Sequence, residues 1–495
     1  MKYTVPMTGS YNTRIGKSNA VSGASGVVGI GIVGIMIVGA APSAVDKDER
    51  YINCFLTKEG SKNYLVKRPG VGALNTPSAG NVGSAILVWT GLGGGTTVIS
   101  AFGATNSTVY KTTTSLGAIT GKARSIVETF IGANATIMVA SGDSTGWYCD
   151  DGATVAVMTK ISDGQFPGNA GYTTAGDFTT LDGFNLIMTT DGKLWASDLN
   201  SITGWTANNY DSNNQYPDMG VGAVRFKNTI MAFGKESVQF WQNAGLTTFP
   251  LRCAQNMTMK IGAVSSDAIA TLADNVFWCG STDKGGLSIF QYDGSLARIS
   301  PPEIDFQLVL AGPSNISLTT LRFYGRSFVL VKANATTYVY CLEDKRWHEW
   351  SSTTPLWYKC AGLSSGSQIL TYSISNISTS GKVYVINPAS LVFTDDSAAF
   401  TATFQSQSEE VDDRTQFFNF LRIIADTEAS TSTLTIAASD DDYATFSTLG
   451  TVDLSSDEKE IYRLGASRKR AWKISHSANT PFRIERMTGE YEVGA

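Results

Sequence analysis

The chain has 495 residues, enough for about three domains of ordinary size. Its net charge is −5 and only 16% of its residues are charged, so a surface that grips nucleic-acid phosphates throughout is disfavoured. Aromatic residues make up 11% of the chain and glycine occurs 49 times, which indicates a β-rich protein with many tight turns rather than a disordered one. The six cysteines are widely spaced, which predicts buried thiols and no disulfide scaffold. Because the chain has only two histidines besides, we expect no metal site, no cofactor and no enzymatic activity.

Residues 1–80 are predicted to form an irregular N-terminal arm. Residues 27–41 carry no charge, but this stretch is shorter than the roughly 20 residues of a membrane-spanning helix, so no membrane span is expected. A signal peptide, a membrane-active segment and a buried arm are three interpretations of it, and we favour the arm, which would dock on a neighbouring subunit or narrow a channel. The candidate contact residues are Val28, Ile30, Ile32, Val33, Ile35, Met36, Ile37 and Val38.

Residues 81–395 repeat a short apolar run followed by a turn and a second strand. The spacing between runs is roughly 45 residues, which is typical of a β-propeller blade. Asp-Gly pairs such as Asp182-Gly183 supply tight hairpin turns. We therefore predict an all-β fold with a propeller of six or seven blades; the alternative is another all-β fold with irregularly spaced strands. The runs lie at 97–100, 137–140, 186–189, 230–233, 276–279, 328–331 and 368–371.

No helix of several turns is predicted, and residues 123–130 would form one helical turn at most. Residues 396–495 alternate apolar and polar positions in several short segments, for example 421–425 and 471–474. This alternation predicts a separate C-terminal domain resembling a β-sandwich.

Three features of the sequence are candidate sites of chemistry. Residues 439–446 fit the register of an Asp-box turn, with a Ca²⁺ site at Asp440, Asp441 and Asp442 as the alternative. His348 lies between tryptophans, which favours a structural role over a catalytic one. The densest basic run predicts a subunit contact or a solvated strand, with a DNA contact as the alternative. That run consists of Arg463, Arg468, Lys469, Arg470 and Lys473.

An ordered set of short motifs resembles the tail-hub or nozzle proteins of short-tailed bacteriophages, a family often labelled packaged DNA stabilisation proteins. The set begins with RYINCF at 50–55 and KRPG at 67–70. It continues with TDGKLWAS at 190–197, Pro217-Asp218, MAFGKESVQFWQNAG at 231–245, VFWCG at 276–280, RIS at 298–300, WHE at 347–349 and RLGASR at 463–468. The apolar insert at 23–45 departs from the family pattern.

The resemblance implies a propeller with an added β-sandwich, assembled as a homohexameric ring in the virion tail. The ring would lie below the portal and adaptor, hold fibres or tailspikes and a needle or plug, retain the packaged DNA, and let double-stranded DNA pass without tight binding. The competing interpretations are a secreted, sialidase-like hydrolase, suggested by the Asp-box turn, and a glycan-binding module in which an exposed tryptophan such as Trp205 stacks on sugars.

Overall fold

A computed structural model describes residues 2–6, 33–34, 49–89, 97–131, 134–150, 157–212, 218–281, 285–351, 357–365, 368–410 and 414–494. The chain divides into two compact units. The sandwich unit comprises Met1–Val71, Asp344–Ser351 and Leu391–Ala495, and the propeller unit comprises Gly72–Glu343 and Ser352–Ser390. The boundaries expected from the sequence lay at 80/81 and 395/396.

Five strands precede the propeller, and all belong to the sandwich unit. They are β1 (Lys2–Pro6), β2 (Val33–Gly34), β3 (Arg50–Ile52), β4 (Cys54–Glu59) and β5 (Lys62–Lys67).

Seven blades follow one another around the propeller unit, and in the first five the four strands pair in chain order. Strand β6 (Gly72–Asn75) is the first strand of the propeller unit and precedes blade 1. Blade 1 is β7 (Gly83–Trp89), β8 (Thr97–Phe102), β9 (Ser107–Lys111) and β10 (Thr114–Ile119). Blade 2 is β11 (Ala123–Ile131), β12 (Asn134–Ser141), β13 (Gly146–Asp150) and β14 (Thr159–Lys160). Blade 3 is β15 (Thr174–Leu181), β16 (Phe184–Thr189), β17 (Lys193–Ala196) and β18 (Tyr210–Ser212).

Blade 4 is β19 (Gly220–Phe226), β20 (Thr229–Gly234), β21 (Val238–Asn243) and β22 (Leu251–Cys253), followed by 3₁₀ turns at Gln255–Met257 and Ser266–Ala268. Blade 5 is β23 (Ile269–Leu272), β24 (Asn275–Ser281), β25 (Leu287–Tyr292) and β26 (Leu296–Arg298), followed by α1 (Pro302–Ala311) and a 3₁₀ turn at Pro313–Asn315. Blade 6 contributes β27 (Ile316–Phe323), β28 (Arg326–Ala333) and β29 (Thr336–Cys341); β30 (Arg346–Trp350) belongs to the sandwich unit. Blade 7 is β31 (Lys359–Ser365), β32 (Gln368–Ile374) and β33 (Val383–Ile386).

The ring is closed by a strand from the other end of the propeller sequence. Strand β6, which precedes blade 1, pairs antiparallel with β33 of blade 7. A shared apolar cluster also joins the two blades, with Ile86 and Val88 of blade 1 packed with Tyr372 and Ile374 of blade 7. Closure therefore leaves neither terminal blade with an uncovered face, as a ring of stacked sheets requires.

The seven apolar runs predicted from the sequence are the second strands of the seven blades, β8, β12, β16, β20, β24, β28 and β32. Each blade packs between two neighbours, so its second strand is covered on both faces and its sequence is predominantly apolar. In β16 and β20, for example, every residue after the first is buried. The propeller prediction is confirmed, with seven blades.

The sandwich unit ends with eleven strands. They are β34 (Thr394–Asp395), β35 (Ala398–Ala399), β36 (Ala402–Gln405), β37 (Glu409–Glu410), β38 (Gln416–Ala425), β39 (Thr433–Ser439), β40 (Ser447–Asp453), β41 (Glu460–Tyr462), β42 (Ala466–Ser467), β43 (Lys469–His476) and β44 (Arg483–Val493).

Two large sheets form most of this unit, and β34 and β35 pair with each other separately. One has the order β2-β1-β44-β38-β41, with β5 also paired to β44, and the other runs β3-β36-β43-β39-β40. Their common core includes Leu421 and Ile484 from the first sheet and Phe404, Ile436 and Trp472 from the second. The alternating apolar residues of the C-terminal segment thus face the core, and β3, β4 and β5 from residues 50–67 complete the two sheets.

Candidate functional site

The innermost strands of the seven blades surround a cavity of about 400 Å³ in the propeller unit. Each of these strands, β7, β11, β15, β19, β23, β27 and β31, contributes to the lining. One residue from each is Ala85, Arg124, Asp177, Ala223, Ile269, Thr319 and Lys359. A pocket of this size can hold a small ligand, and converging polar groups on its wall make it the candidate functional site.

The inner strands approach one another closely at Gly176 of β15. This glycine has a φ of +74°, and a Cβ placed on it would lie 2.6 Å from the Cα of Gly222 in β19. A side chain at position 176 would push the two strands apart. The register of β15 against β16 shifts between Ala175 and Thr179, which turns Asp177 toward the cavity.

An ion pair lies where two of the inner strands begin. Lys359 is the first residue of β31, and its Nζ is 2.8 Å from Oδ1 of Asp267, in the 3₁₀ turn before β23. The hydroxyl of Tyr358 donates to Oδ2 of the same carboxylate at 2.9 Å. Burial alone would raise the pKa of Asp267, but Lys359 and these hydrogen bonds lower it below its ordinary value, so Asp267 is an anion at neutral pH.

Three ammonium groups surround the ring of Tyr358. The Nζ atoms of Lys122, Lys359 and Lys332 lie 5.3, 5.5 and 5.8 Å from its centroid. We call these three residues the lysine cluster. Burial, and then the positive charge of Lys122, lower the pKa of Lys332 to about 8. The cluster therefore holds like charges close enough to oppose one another.

Arg124 and Asp177 extend this charged region along the cavity wall. The Arg124 guanidinium donates to the carbonyl oxygen of Thr174 at 2.8 Å. Burial raises the pKa of Asp177, and the charge of Asp267 adds to this rise, whereas Lys359 and Arg124 oppose it. Sequence patterns missed this site because its residues come from separate blades; the only local signal is a cation beside the start of an inner strand, at Arg124 and Lys359.

The site residues proposed from the sequence lie almost entirely outside the described residues. Val28, Ile30, Ile32, Ile35, Met36, Ile37 and Val38 are not described. Val33 is in β2, which pairs parallel with β1 through Tyr3. Their role as subunit contacts stays a prediction.

The KRPG motif is a structural element of the sandwich unit. The Arg68 guanidinium donates to both carboxylate oxygens of Asp395, at 3.0 and 2.5 Å, and its Nε donates to Oδ1 of Asn53 at 2.8 Å. Its other donors reach the carbonyl oxygens of Pro69 and Ser351. The side chain is fully buried, so all five of its N–H groups are satisfied inside the protein.

The turn at residues 439–446 is held by Asp441. Its carboxylate accepts from the Thr445 backbone N–H at 2.9 Å and from the hydroxyls of Ser439 and Thr445. These bonds, led by the Thr445 hydroxyl, lower the pKa of Asp441 to about 2. Hydroxyl-to-carboxylate contacts with the same two-residue spacing occur in blades 2 and 3, between Ser141 and Asp143 and between Thr189 and Asp191. Only one such turn was recognised in the sequence.

The neighbouring acids have separate partners instead of converging on a cation. Asp440 accepts from Arg470 at 2.7 and 2.8 Å, and Asp442 pairs with Lys469. Arg470 is buried, and its guanidinium carbon lies 4.4 Å from the centroid of Phe418. Part of the basic run is therefore internal structure, and no group of three metal-ligating side chains occurs in the part of the chain that the structure describes.

Both histidines are buried in the sandwich unit. The ring of His348 lies edge-on to Tyr51, with centroids 5.6 Å apart. His476 Nε2 is 2.9 Å from Ser432 Oγ, a contact that in an accessible pocket would suggest a nucleophile and its base. Ser432 is fully buried, so a substrate has no access to it in this fold.

Trp205 is buried as well, at 3% exposure, and its indole N–H donates to the carbonyl of Ile202. The expectation that it is exposed for sugar stacking is wrong, because Phe166 packs edge-on against it with centroids 5.1 Å apart. All six cysteines are described and are free thiols; Cys54, Cys149, Cys279 and Cys341 are buried as predicted, whereas Cys253 and Cys360 are only partly buried. Among the described residues, no helix is long and apolar enough to cross a membrane.

These features define a class: a seven-bladed β-propeller whose chain also builds a β-sandwich. Residues 54–366 match the family model Phage_stabilise, described as "Bacteriophage P22 Gp10, beta-propeller". The match covers more than half of the chain, and the protein belongs to this family of phage structural proteins. It is therefore a structural component of a phage.

No curated protein matches the chain. Among solved structures, Raptor from Chaetomium thermophilum is 10% identical, with a TM-score of 0.42 over 64% of this chain and 28% of its own. BamB from Moraxella catarrhalis is 12% identical, with a TM-score of 0.37 over 69% and 96%. Sqt1 from Saccharomyces cerevisiae is 10% identical, with a TM-score of 0.38 over 64% and 98%. The chain thus spans under a third of the length of the Raptor chain. TM-scores below 0.5, as in all three comparisons, carry no argument about function.

Proposed function

We propose that this protein forms the hexameric nozzle ring of a short-tailed phage, below the portal and adaptor. The ring would retain the packaged genome, conduct it during ejection, and hold fibres or spikes and a needle or plug. Membership of the phage structural family carries this proposal. The net charge of −5 supports it, since duplex DNA slides past an acidic or neutral surface without the phosphate contacts that a basic lining makes.

Helix α1 offers a surface for contacts between subunits. Phe306, Val309 and Leu310 are 58%, 51% and 61% exposed, although Ile304 and Leu308 on the same helix are buried. Positions 306, 309 and 310 share one helical face, so the helix presents apolar side chains to solvent as well as to the core. An apolar helix face of this kind favours burial in an assembly.

The test of the ring is negative-stain microscopy of the purified full-length protein, together with its mass in solution. We expect six-fold rings of six times the chain mass. A protein that stays monomeric over a wide concentration range, and that is absent from the tails of purified particles, would contradict the proposal.

Serine substitutions at Phe306 and Leu310 should weaken the ring. Each removes a large apolar side chain from the proposed contact, so the subunit concentration needed for assembly should rise about tenfold or more. Mass measurements over a dilution series provide the readout. Leu199→Ser is the matched control, because Leu199 is 59% exposed in blade 3, away from α1, and its loss should leave assembly unchanged.

Removal of residues 24–41 should reduce ring assembly or the retention of packaged DNA. The reason is the uncharged, apolar sequence of residues 27–41, which we propose as an arm that docks on a neighbouring subunit or narrows the channel. The readouts are ring formation by the purified protein and the DNA content of particles that carry the deletion. Normal rings and normal DNA content would show that the arm has neither role.

A further inference from the structure

The first sheet of the sandwich unit carries exposed aromatic side chains on the side that faces away from the core. Phe417 of β38 and Tyr462 of β41 are 49% and 63% exposed. Phe420 of β38 lies opposite Tyr462 in the register of the two strands, and the centroids of their rings are 6.3 Å apart. We call Phe417, Phe420 and Tyr462 the aromatic face. Exposed rings that adjoin one another are typical of surfaces that contact other proteins.

A bulge in β38 brings Phe417 and Phe420 to the same side of the sheet. Residues three positions apart in a regular strand point to opposite faces. The register of β38 against β44 shifts between Phe418 and Phe420, so Asn419 is an extra residue and the alternation restarts after it. Phe418 and Leu421 lie in the core of the unit. The strand thus places two phenylalanine rings on the outside while its core positions stay filled.

An arginine lies beside the aromatic face, in the loop between β41 and β42. Arg463 follows Tyr462 directly, has a φ of +60°, and donates its backbone N–H to the carbonyl oxygen of Asn419 at 3.2 Å. Its side chain is exposed and forms no ion pair with a carboxylate in the described part of the chain. Leu464 is buried, and its carbonyl oxygen accepts from Arg470 at 2.7 Å. The loop is therefore anchored next to the aromatic face and presents a guanidinium to solvent.

Helix α1 has the complementary chemistry. The exposed side chains of Phe306 and Leu310 share a face with Glu303, because positions 303, 306 and 310 are three and four residues apart. Glu303 is partly buried, and its Oε2 has no hydrogen-bond partner among the described residues. A carboxylate without a donor in its own chain gains a charge-assisted hydrogen bond from an arginine that another chain supplies.

A closed ring needs two different surfaces on every subunit. Identical subunits in a ring are joined head to tail, so the surface that one subunit presents is covered by a different surface of the next. The helix face and the aromatic face are both apolar and exposed, and they belong to different units of the chain. The first carries an acid and the second a base that their own chain leaves unpaired among its described residues. Opposite charges of this kind fix the orientation of a contact whose affinity comes from apolar burial.

We propose that α1 of one subunit docks on the aromatic face of a neighbouring copy of this chain. Phe306 and Leu310 pack against the exposed rings. The Glu303 carboxylate pairs with the Arg463 guanidinium of the neighbouring copy. The inference rests on the proposed ring, and it names the two surfaces that join the subunits.

Exchange of the two charges tests the pairing in the full-length protein. Glu303→Arg and Arg463→Glu, each alone, place like charges against one another, so the subunit concentration needed for ring assembly should rise about tenfold. The double variant Glu303→Arg/Arg463→Glu restores opposite charges and should assemble nearly as the unmodified protein does. Glu303→Arg/Lys160→Glu is the control, because Lys160 is exposed on β14 of blade 2, and it should stay as weak as Glu303→Arg alone. Mass measurements over a dilution series are the readout.

Substitution of the rings tests the surface itself. Phe417→Ser/Tyr462→Ser should also raise the concentration needed for assembly about tenfold or more, since it removes two exposed rings from the contact. Thermal unfolding of the separated subunits verifies that each variant is folded.

The outcomes separate this inference from the proposed ring. An unmodified protein that forms no ring would refute both. Rings that form normally in Phe417→Ser/Tyr462→Ser would refute the inference and leave the ring standing; loss of another protein from particles that carry this variant would then assign the aromatic face to that protein. A double charge variant no better than Glu303→Arg alone would show that the two residues do not meet, and would overturn the inference as well.

Discussion

Replacing Arg68 with methionine should lower the free energy of unfolding of the sandwich unit by about 3–5 kcal/mol. Arg68 is fully buried, and its loss would leave the Asp395 carboxylate, which is 4% exposed, without its cation. The same change removes the hydrogen bond from Arg68 Nε to Asn53 Oδ1. It also removes the guanidinium whose carbon lies 3.9 Å from the centroid of the Phe400 ring. Urea denaturation, together with hydrogen exchange of the β4–β5 hairpin, would measure the loss.

Two further variants distinguish the effect of the unpaired buried charge from other effects of the substitution on stability. Arg68→Met/Asp395→Leu removes both charges and should recover part of the stability, because no unpaired carboxylate stays in the core. Arg486→Met removes a surface arginine that pairs with Glu485 and should cost less than about 1 kcal/mol. Equal losses for Arg68→Met and the double variant would show that the ion pair is not the source of the effect.

The propeller could be predicted from the sequence because burial on both faces makes the second strand of each blade predominantly apolar. The start of the propeller unit at Gly72 was not readable, since β6 is a short strand whose partner, β33, lies some 310 residues further along the chain. No local pattern reports a pairing over that distance. The same holds for β4 and β5, which pair with each other and, through β5, with β44.

Helix α1 was missed for a physical reason. Its outward positions, Phe306, Val309 and Leu310, are apolar, which removes the periodicity that marks a helix against a core. Its ends carried the usual signals, with Pro302 at the start and Gly312 at φ +76° after the last turn. Phe306, Val309 and Leu310, which remove this periodicity, are also the residues that we propose for contacts between subunits.

The lysine cluster was not predicted from the sequence either. Lys122, Lys332 and Lys359 come from blades 2, 6 and 7, and they meet around Tyr358 only in the folded ring of blades. In the sequence each is an isolated lysine of ordinary appearance. The KRPG motif, by contrast, was recognised from the sequence, but its role as the cation of a buried pair required the position of Asp395.

His476 should contribute a loss of stability to the sandwich unit as the pH falls between about pH 6.5 and pH 4, separate from the contributions of other titrating groups. Burial, and then the charge of Lys67, lower the pKa of His476 to about 4. Lys67 Nζ is 3.4 Å from Nδ1, and Ser432 Oγ is 2.9 Å from Nε2. Below pH 6.5 the unfolded chain takes up a proton that the folded chain does not, so stability present above pH 6.5 is lost as the pH falls, by about 2–3 kcal/mol near pH 4.

His476→Gln isolates this contribution, because glutamine keeps a polar side chain at the position and does not titrate. Its absolute stability is expected to be lower than that of the unmodified protein, so the quantity to compare is the change in unfolding free energy between pH 7 and pH 4, from urea denaturation at each pH. Buried Glu49 and Glu409, whose pKa values burial raises to about 8, titrate in both proteins and cancel in the comparison. On going from pH 7 to pH 4, the unfolding free energy of the unmodified protein should therefore shift about 2–3 kcal/mol further towards unfolding than that of the variant. Parallel pH profiles would mean that His476 is protonated equally in the folded and unfolded chains, and that Lys67 does not hold it neutral.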